Sequence, residues 1–523
     1  MDPSAKIAKN TMFNFMAQAI DYSLAMAQSI FLARALGSEL YGTYSYFSWL
    51  LTLAVFIVNL GWGMMAKRYI AEAIGQDNKD KAHGLVRLAL VGRIIPGILV
   101  TIVILAFSSK FVHLFGKGTP IYFTVIACSL VPFALNQMLT AMFIGFQKFE
   151  YNLYLVLSTT PLRVATQIAV ALLGYGVVTI LGMNLLSLVV GSVVGIILIM
   201  RLVPPRKFLT AGLNSENRKA AIKFALPAAG FTAVTYLLWE QPEVFFLGRY
   251  RPAAETGFYN LAASVTTLVM GIIPMVFASV LLPAISEQFG RKDMDKIKAI
   301  YLVSARYLMM MALPLAVILV TLSGSIVGFL YGAQYHSVIG LIRIMSFPWA
   351  IYALLGGAGA VIFAINQPGF ALKVGLLLGA LSVGLNFLVV PRFGVVGAAI
   401  ASSVAQVLMF PVYIWFVERK IKVVWPLADG LRILLASFPA GVVLYVISQY
   451  LGSIQALCLG LPVGVILIIV GLVMFGVIRD EDICRFRRLD KVLPSRLRGT
   501  YGVVISVVSR LLEVKQAIWE WAM

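Results

Sequence analysis

The chain alternates between long apolar runs and short polar segments. Each run matches the roughly 20 apolar residues that a helix needs to cross a bilayer. If each run crosses the bilayer once, there are about fourteen of them. They lie at 10–33, 43–66, 84–107, 119–143, 152–174, 177–200, 222–247, 256–282, 300–330, 337–365, 369–390, 394–417, 431–451 and 455–478. A membrane barrel would need short strands of alternating polarity between turn signals, and the sequence lacks them. The pattern therefore predicts an all-α polytopic protein.

Two segments, 31–81 and 246–296, are diverged copies of each other at a constant offset of 215 residues. Glycine, charged and turn residues recur in phase, which shared hydrophobicity alone does not produce. The matched pairs are Phe31/Phe246, Leu32/Leu247, Arg34/Arg249, Gly42/Gly257, Tyr44/Tyr259, Ile70/Ile285, Glu72/Glu287, Gly75/Gly290, Asp80/Asp295 and Lys81/Lys296. An even number of predicted spans separates the copies, so both enter the membrane in the same direction. The repeat is therefore parallel, with its pseudo-twofold axis along the membrane normal.

The duplication predicts two pseudo-twofold-related six-helix lobes and two extra C-terminal helices. The lobes cover 1–200 and 222–418, with a basic cytoplasmic linker at 201–221. Helices 13 and 14 lie at 431–478, outside the repeat. The tail at 479–523 is first basic and then amphipathic, as expected for a helix that rests on anionic lipid.

Composition and charge place the chain in a membrane and exclude nucleic acid as its partner. Hydrophobic residues make up 60% of the sequence and charged residues 12%, with a mean hydropathy of +0.92. The net charge of +20 comes mostly from Lys and Arg in the loops on the side of the N terminus and in the tail. The loops on the other side hold only Arg34, Lys110, Lys117, Arg249, Arg251 and Arg392. By the positive-inside rule, both termini are expected in the cytoplasm, which places the multi-pass chain in the cell membrane.

The first helix carries polar residues at helical spacing, so they form one stripe. The stripe contains Asn10, Asn14, Gln18, Asp21, Ala25 and Gln28, and the corresponding helix of the second half carries Thr232, Tyr236, Trp239, Glu240 and Glu243. At the offset of 215, Glu243 corresponds to Gln28 and Glu240 to Ala25. Ionisable groups inside a membrane are costly unless they are paired or hydrated. We therefore regard Asp21, Glu240 and Glu243 as ion-coupling candidates, with simple pairing to Arg93 or Arg163 as the structural alternative.

Arginines inside or at the ends of the spans are the candidates for binding an anion. Arg93 precedes Pro96 and Arg163 follows Pro161, and a proline frees backbone groups that a hydrated cavity can satisfy. Arg34 and Arg249 end their helices beside a predicted external turn. There they can cap carbonyls, snorkel to the interface or act as a gate.

These residues resemble a known family. The segment RALGSELYGTYSYFSWLLTL, followed by RYIAEAIGQDNKDKAHGLVRLAL, is similar to the N-terminal half of polysaccharide transporters in the multidrug/oligosaccharidyl-lipid/polysaccharide exporter superfamily. The likeness covers about the first 420 residues, and its motifs are loose. Many members have Asp-Arg where this chain has Glu243-Val244, so the coupling carboxylate stays open among Glu243, Glu240 and Asp21.

The resemblance implies a flippase. Two lobes would alternate access around a cationic cavity and move lipid-linked (isoprenoid-pyrophosphate) oligosaccharide to the outer leaflet, coupled to protons or sodium. Pyrophosphate needs cations, for which the candidates are Arg93, Arg163, Arg306, Arg343 and Lys373. Sugars need amides, hydroxyls and aromatic surfaces, for which the candidates are Gln18, Gln28, Tyr236 and Trp239.

Other functions remain as alternatives. A peptidoglycan-precursor flippase shares the architecture, and a cation-coupled multidrug antiporter would use carboxylates rather than several arginines. A membrane-embedded glycosyltransferase would need a large external catalytic loop, which the sequence lacks. No metal site or cofactor is expected. The expected partners are the lipid-linked oligosaccharide, membrane lipids and polysaccharide-assembly proteins.

Overall fold

A computed structural model describes residues 3–210, 212–239 and 241–479, together with 482, 506, 509, 510, 512 and 513. Helices and connecting turns account for this part of the chain, and it contains no strand, so the all-α prediction is confirmed. The helices are α1 Pro3–Asn59, α2 Trp62–Gly75, α3 Lys79–Ala106, α4 Ser108–Phe115, α5 Pro120–Gly145, α6 Phe149–Leu172, α7 Val177–Leu202, α8 Pro205–Thr210, α9 Ser215–Trp239, α10 Glu243–Tyr250, α11 Ala253–Gly290, α12 Met294–Leu330, α13 Ser337–Ala353, α14 Leu355–Ala364, α15 Pro368–Ile421, α16 Leu427–Tyr450 and α17 Ser453–Met474.

Ten helical segments within the described residues are long and apolar enough to span a membrane. Two of them, Met12–Asn59 and Pro368–Ile421, have 48 and 54 residues, about twice the length that one crossing needs. Each contains a glycine with non-helical backbone, Gly37 (φ 74°) or Gly394 (φ 57°), where L side chains are disfavoured. Pro368–Ile421 therefore holds the spans expected at 369–390 and 394–417. The helix α1 holds the span expected at 10–33, but it ends at Asn59, inside the span expected at 43–66. The total of fourteen stays a prediction, because α9 and α11 contain positions whose side chains are not described.

The span predicted at 222–247 is wrong as one continuous helix. In the structure α9 ends at Trp239 and α10 begins at Glu243. Gln241 between them has a left-handed backbone, with φ of 55°. Pro242 gives the physical reason, since a proline lacks the amide hydrogen and disfavours helical backbone in the residue before it. The break places Glu243 in the first turn of a short helix.

The chain divides into two compact units. The first contains Met1–Leu261 and Gly375–Ala398, and the second contains Ala262–Val374 and Ala399–Met523. In the first unit the buried core lies among α2, α3, α5 and α7, with fully buried Met65, Leu85, Met138 and Phe143. In the second, α12 packs against α13, α16 and α17. The helices α16 and α17 are the two that were predicted at 431–478, outside the repeat, and both pack on α12. The lobe boundaries expected from the duplication stay a prediction.

The two connectors of the duplicated segment have the same backbone. Asp77 (φ 51°) and Lys292 (φ 59°), 215 residues apart, are both left-handed. In each copy the next residue caps a helix. The Asn78 side chain accepts a hydrogen bond from the Lys81 amide at 2.9 Å, and the Asp293 side chain accepts one from the Lys296 amide at 3.1 Å. The repeat read from the sequence thus extends to turn geometry.

Carboxylates of these connectors pair with nearby lysines. Lys207 donates to Asp80 at 3.0 Å, and this hydrogen bond and charge lower the pKa of the Asp80 carboxyl. Lys296 and its backbone amide likewise lower the pKa of Asp293. Both carboxyls are therefore ionised at neutral pH, and each stays ionised to a lower pH than an ordinary aspartate does.

Gly42 and Gly257, which are repeat mates, lie against each other. A Cβ on Gly42 would be 1.8 Å from the Ala253 carbonyl oxygen, and one on Gly257 would be 3.0 Å from the Gly42 amide nitrogen. Beside them, the Tyr41 hydroxyl donates to Asn260 at 3.4 Å. Equivalent residues of two copies can touch only close to the axis that relates them, as a pseudo-twofold repeat requires.

Candidate functional site

A buried cluster of amides and a hydroxyl joins α1 to α6. The Gln28 side-chain amide donates to the Tyr44 hydroxyl at 2.8 Å and to the Gln167 carbonyl at 2.5 Å. Gln167 in turn donates to the Ile180 backbone carbonyl at 2.9 Å. Gln28 and Gln167 are buried, and uncharged polar groups at this depth are stable because they satisfy each other. We call Gln28, Tyr44 and Gln167 the amide cluster.

An ion pair lies two helical turns along the same two helices. The Thr160 hydroxyl donates to Asp21 at 2.7 Å, and an Arg163 guanidinium nitrogen lies 3.6 Å from the same carboxylate oxygen. The side chains of Arg163 and Asp21 are 30% and 47% exposed. The spacing puts Thr160, Arg163 and Gln167 on one face of α6. This face and the polar stripe of α1 therefore form a continuous polar seam.

A second polar cluster surrounds Glu243 at the start of α10. Its carboxylate accepts hydrogen bonds from the Ser382 hydroxyl and the Asn386 side-chain amide, each at 3.4 Å, and one from the Tyr259 hydroxyl. Glu243 is only 3% exposed. No Lys or Arg pairs with Glu243 among the described residues; the neutral groups contact it instead. We call Glu243, Tyr259, Ser382 and Asn386 the carboxylate cluster.

The two clusters are repeat mates. Glu243 and Tyr259 lie 215 residues after Gln28 and Tyr44. The helices α6 and α15 begin at Phe149 and Pro368, an offset of 219. At that offset Asn386 corresponds to Gln167. The same three positions thus form a polar cluster in each copy, and the copies differ mainly in that Glu243 replaces a neutral amide.

Arg93 is the most deeply buried cation predicted for the site. It is 1% exposed, and its guanidinium donates to the Asn59 side chain and to the Gln137 side-chain carbonyl at 2.6 Å. In the part of the chain that is described, no carboxylate lies within salt-bridge distance of it. A buried charge held only by amides is costly without a counter-ion. Among the described residues Arg93 is therefore a buried cation without a counter-ion.

The three predicted cations of the second unit have separate surroundings. A guanidinium nitrogen of Arg306 lies 2.5 Å from an Asp482 carboxylate oxygen, and the Tyr307 hydroxyl donates to the same oxygen at 2.7 Å. The Arg343 Nε donates to the Ser323 hydroxyl at 3.0 Å. Lys373 is exposed. The structure does not bring these three side chains into contact.

The remaining predicted residues also have distinct positions. Tyr236 is buried and stacks on Phe56, with ring centroids 4.1 Å apart. Gln18 is half-buried on the polar stripe, while Arg34 and Arg249 are exposed. The side chain of Trp239, and Glu240 as a whole, lie outside the described residues.

Sequence reasoning missed the neutral partners of these clusters. They are Tyr44 as a bonding partner, Asn59, Gln137, Thr160, Gln167, Ser382 and Asn386. They are uncharged polar residues within predominantly apolar spans, and averaging hydropathy over a span hides them. Extending the repeat alignment with the offset of 219 would have paired Gln167 with Asn386 and drawn attention to both.

Comparison with known proteins agrees with this architecture. The chain is 19% identical over 405 residues to the probable low-salt glycan biosynthesis flippase Agl15 of Haloferax volcanii, covering 76% of this chain and 81% of that protein. Its fold is similar to the lipid II flippase MurJ in an inward closed conformation, with a TM-score of 0.71, 15% identity and coverage of 89% and 98% of the two chains. It is also similar to an inward-facing multidrug resistance MATE family transporter of the MOP superfamily, with a TM-score of 0.65, 18% identity and coverage of 78% and 98%.

A family profile shows which protein family the chain belongs to. The profile described as polysaccharide biosynthesis protein matches residues 7–289, more than half of the 523-residue chain. The match contains the polar seam, Arg93 and two residues of the carboxylate cluster, Glu243 and Tyr259. The chain therefore belongs to the polysaccharide biosynthesis protein family, with the helical fold of the MOP superfamily transporters.

Proposed function

We propose that this protein flips lipid-linked oligosaccharide repeat units, carried on an isoprenoid pyrophosphate, from the cytoplasmic to the outer leaflet for cell-surface polysaccharide synthesis. The family match and the flippase named among its relatives support this substrate class. The six-helix lobes predicted from the duplication would alternate access, with both termini in the cytoplasm. Such a protein is a transporter rather than an enzyme.

The exposed ion pair of Arg163 and Asp21 carries the proposal. A pair as open as this one, at 3.6 Å, contributes little by itself, so a competing anion can separate it at small cost. A pyrophosphate offers several oxygens to one guanidinium and forms stronger, bidentate contacts than a single carboxylate oxygen. Arg163 would then hold the pyrophosphate, while Asp21 keeps its hydrogen bond from Thr160.

Other groups in the first unit complete a substrate path. Arg93 supplies a second, deeper cation without a carboxylate partner among the described residues. Gln18, on the stripe that contains Asp21, is placed to meet sugar hydroxyls. The prenyl tail can stay in lipid while the headgroup passes along the seam.

Ion coupling is assigned to the carboxylate cluster. Glu243 is buried and surrounded by neutral donors, so its carboxyl either stays neutral by holding a proton or ionises with a cation such as sodium close by. The Asn386 side-chain oxygen is buried without a hydrogen-bond partner among the described residues and could serve as a second ligand. Polysaccharide-assembly proteins would receive the flipped product.

A peptidoglycan-precursor flippase or a cation-coupled multidrug antiporter is the alternative, since proteins of both kinds share the fold. A buried carboxylate such as Glu243 suits an organic cation, whereas Arg93 and Arg163 repel one. Asp21 balances Arg163 on the polar seam, so Arg93, which has no carboxylate partner among the described residues, supplies the positive charge that favours an anionic substrate.

Reconstitution into liposomes tests the proposal. Fluorescent isoprenyl-pyrophosphate oligosaccharide would be followed by quencher access, beside an organic-cation dye. Wild-type protein should flip the lipid, and Arg163→Ala should slow flipping by about tenfold or more, given the loss of a charge-assisted contact. Arg392→Ala, a matched change at an exposed position, should leave the rate unaltered. Dye transport without lipid flipping would contradict the proposal, and normal flipping by Arg163→Ala would remove Arg163 from the substrate site.

A further inference from the structure

A cavity of about 660 Å³ opens where α4 meets α10, at the end of the helices away from the duplicated connectors. Lys110, Phe111 and His113 line it from α4, and Phe245, Arg249 and Tyr250 line it from α10. All of these residues belong to the first compact unit. Neither the polar seam nor the carboxylate cluster includes any of them.

The cavity is basic. Lys110, His113 and Arg249 are three basic side chains, and no carboxylate is among the residues that line it. The carboxylate of α10, Glu243, lies in the buried first turn of that helix, away from the exposed Arg249. Three basic groups without an acidic neighbour attract an anion with more than one charge.

The Arg249 guanidinium is packed in place. Gly116 has φ of 73°, and a Cβ on it would lie 2.5 Å from an Arg249 terminal nitrogen. A side chain at position 116 would therefore displace the guanidinium, and glycine also suits the left-handed backbone. The ring of Phe115 packs edge-on against Phe245, with centroids 5.9 Å apart. These contacts hold α4 and α10 together around the cations.

An apolar path leads away from the cavity along α3. Leu99, Ile102, Val103 and Phe107 are exposed and recur at helical spacing, so they form one stripe. Phe107 also lines the cavity, and Lys110 lies 5.1 Å from the centre of its ring. Cations above a lipid-facing stripe match an amphiphile with a charged head and a hydrocarbon tail.

We propose that this cavity is a docking site for the pyrophosphate headgroup of an isoprenoid lipid, with its tail along the α3 stripe. It would hold the flipped product on the face where it leaves, and this assignment rests on the proposed function. Pyrophosphate fits the cations Lys110 and Arg249, with His113 beside them, better than a phospholipid, whose phosphodiester carries one charge. The phosphates would lie between Arg249 and Lys110, with the aromatic rings beside the first isoprene unit.

Photo-crosslinking tests the site without requiring transport. The purified full-length protein would be labelled with a diazirine analogue of geranylgeranyl pyrophosphate, and the labelled peptides would be mapped by mass spectrometry. We expect label on 107–114 and 245–250. The double variant Lys110→Gln/Arg249→Gln should reduce it about tenfold, as loss of charge-assisted contacts predicts. Arg34→Gln, the same change outside the cavity, and Arg163→Ala should both retain it, with thermal unfolding as the check on folding.

Competitors identify the ligand. Unlabelled geranylgeranyl pyrophosphate should abolish labelling, whereas geranylgeraniol, phosphatidylglycerol and inorganic pyrophosphate should compete poorly. Equal competition by phosphatidylglycerol would make the cavity a general lipid site and overturn the proposal, as would competition by inorganic pyrophosphate alone or unchanged labelling of the double variant. Labelling at the cavity by a protein that does not flip lipid would support the docking site and refute the transport function separately.

Discussion

Single residues set how closely the repeated helices approach each other. Gly42 contacts the backbone of Ala253 directly, and the missing side chain is what permits the contact. A helix interior normally disfavours glycine relative to alanine, so packing must compensate at this position. The fit is steric and does not depend on charge.

Gly42→Val should destabilise the protein strongly. The new Cβ would overlap the Ala253 carbonyl oxygen, and backbone cannot move away as a flexible side chain can. Overpacking of this kind typically costs about 1–3 kcal/mol or more. Thermal unfolding in detergent would measure the change. Gly182→Ala, where nothing lies within 4 Å of the added Cβ, is the matched control and should be neutral or slightly stabilising. Equal stability of both variants would contradict the close contact.

At the scale of elements, the two connectors share one backbone conformation but begin the next helix with different capping residues. Asn78 and Asp293 begin α3 and α12 in the same way, but only the second can be protonated. The lowered pKa of Asp293, caused by Lys296, makes its cap an acid-sensitive one. Equivalent turns therefore respond differently to pH.

Asn78→Ala should cost about 1 kcal/mol, because the first turn of α3 loses the acceptor for the Lys81 amide. Hydrogen exchange of the first amides of α3 would detect the loss as faster exchange at that turn. Asn78→Asp keeps an acceptor and should restore slow exchange. Unaltered exchange in Asn78→Ala would show that the cap does not contribute.

Asp293→Asn should lower stability at neutral pH but not in acid. A carboxyl whose pKa is lowered by folding stabilises the folded state above its unfolded pKa, and that contribution is lost as pH falls through the folded pKa. The unfolding temperatures of wild type and variant should therefore converge as pH falls below the ordinary carboxyl range. A difference that persists in acid would contradict the role of Lys296 in this shift.

The sequence predicted these elements well where local chemistry determines them. Long apolar runs, the paired connectors and the external turn beside Arg34 follow from periodicity and residue type. The partners in the clusters could not be predicted in this way. Gln28 meets Gln167 across 139 positions, and Arg306 meets Asp482 across 176. Only helix packing brings such residues together. The break before Glu243 was also missed, because the apolar residues on both sides of 240–243 were interpreted as one span.

At the scale of the whole molecule, duplication has produced two clusters with shared geometry and different charge. Gln28 can bond its partners at any pH, whereas Glu243 at its depth either holds a proton and stays neutral or ionises beside a bound cation. In the proposed function the copies would therefore be specialised, one for static bonding and the other for an ion-dependent step. Within the proposed transport cycle, the driving ion acts in the second copy.

Glu243→Gln should abolish the dependence of flipping on a proton or sodium gradient while leaving lipid binding close to wild type. The variant reproduces the amide of the first copy, so the fold should be retained. Gln28→Glu, the reciprocal change, should not restore gradient dependence in the Glu243→Gln background, because Arg163 on the adjacent α6 face can compensate its charge. Flipping rates in liposomes with imposed gradients, beside lipid binding to purified protein, would measure both. Retained gradient dependence in Glu243→Gln would exclude Glu243 as the coupling group.

The contact between Gly42 and Gly257 also constrains how the two copies can diverge. A larger residue in either copy meets backbone atoms, those of Ala253 for Gly42 and those of Gly42 and Ser38 for Gly257. A larger residue at one glycine cannot be compensated by a change at the other, because the other glycine has no side chain to remove. Substitutions can accumulate on the exposed surfaces of both copies, as they have at the corresponding positions Gln76 and Arg291. Where the two glycines meet, a side chain in either copy should be tolerated less well than at such exposed positions.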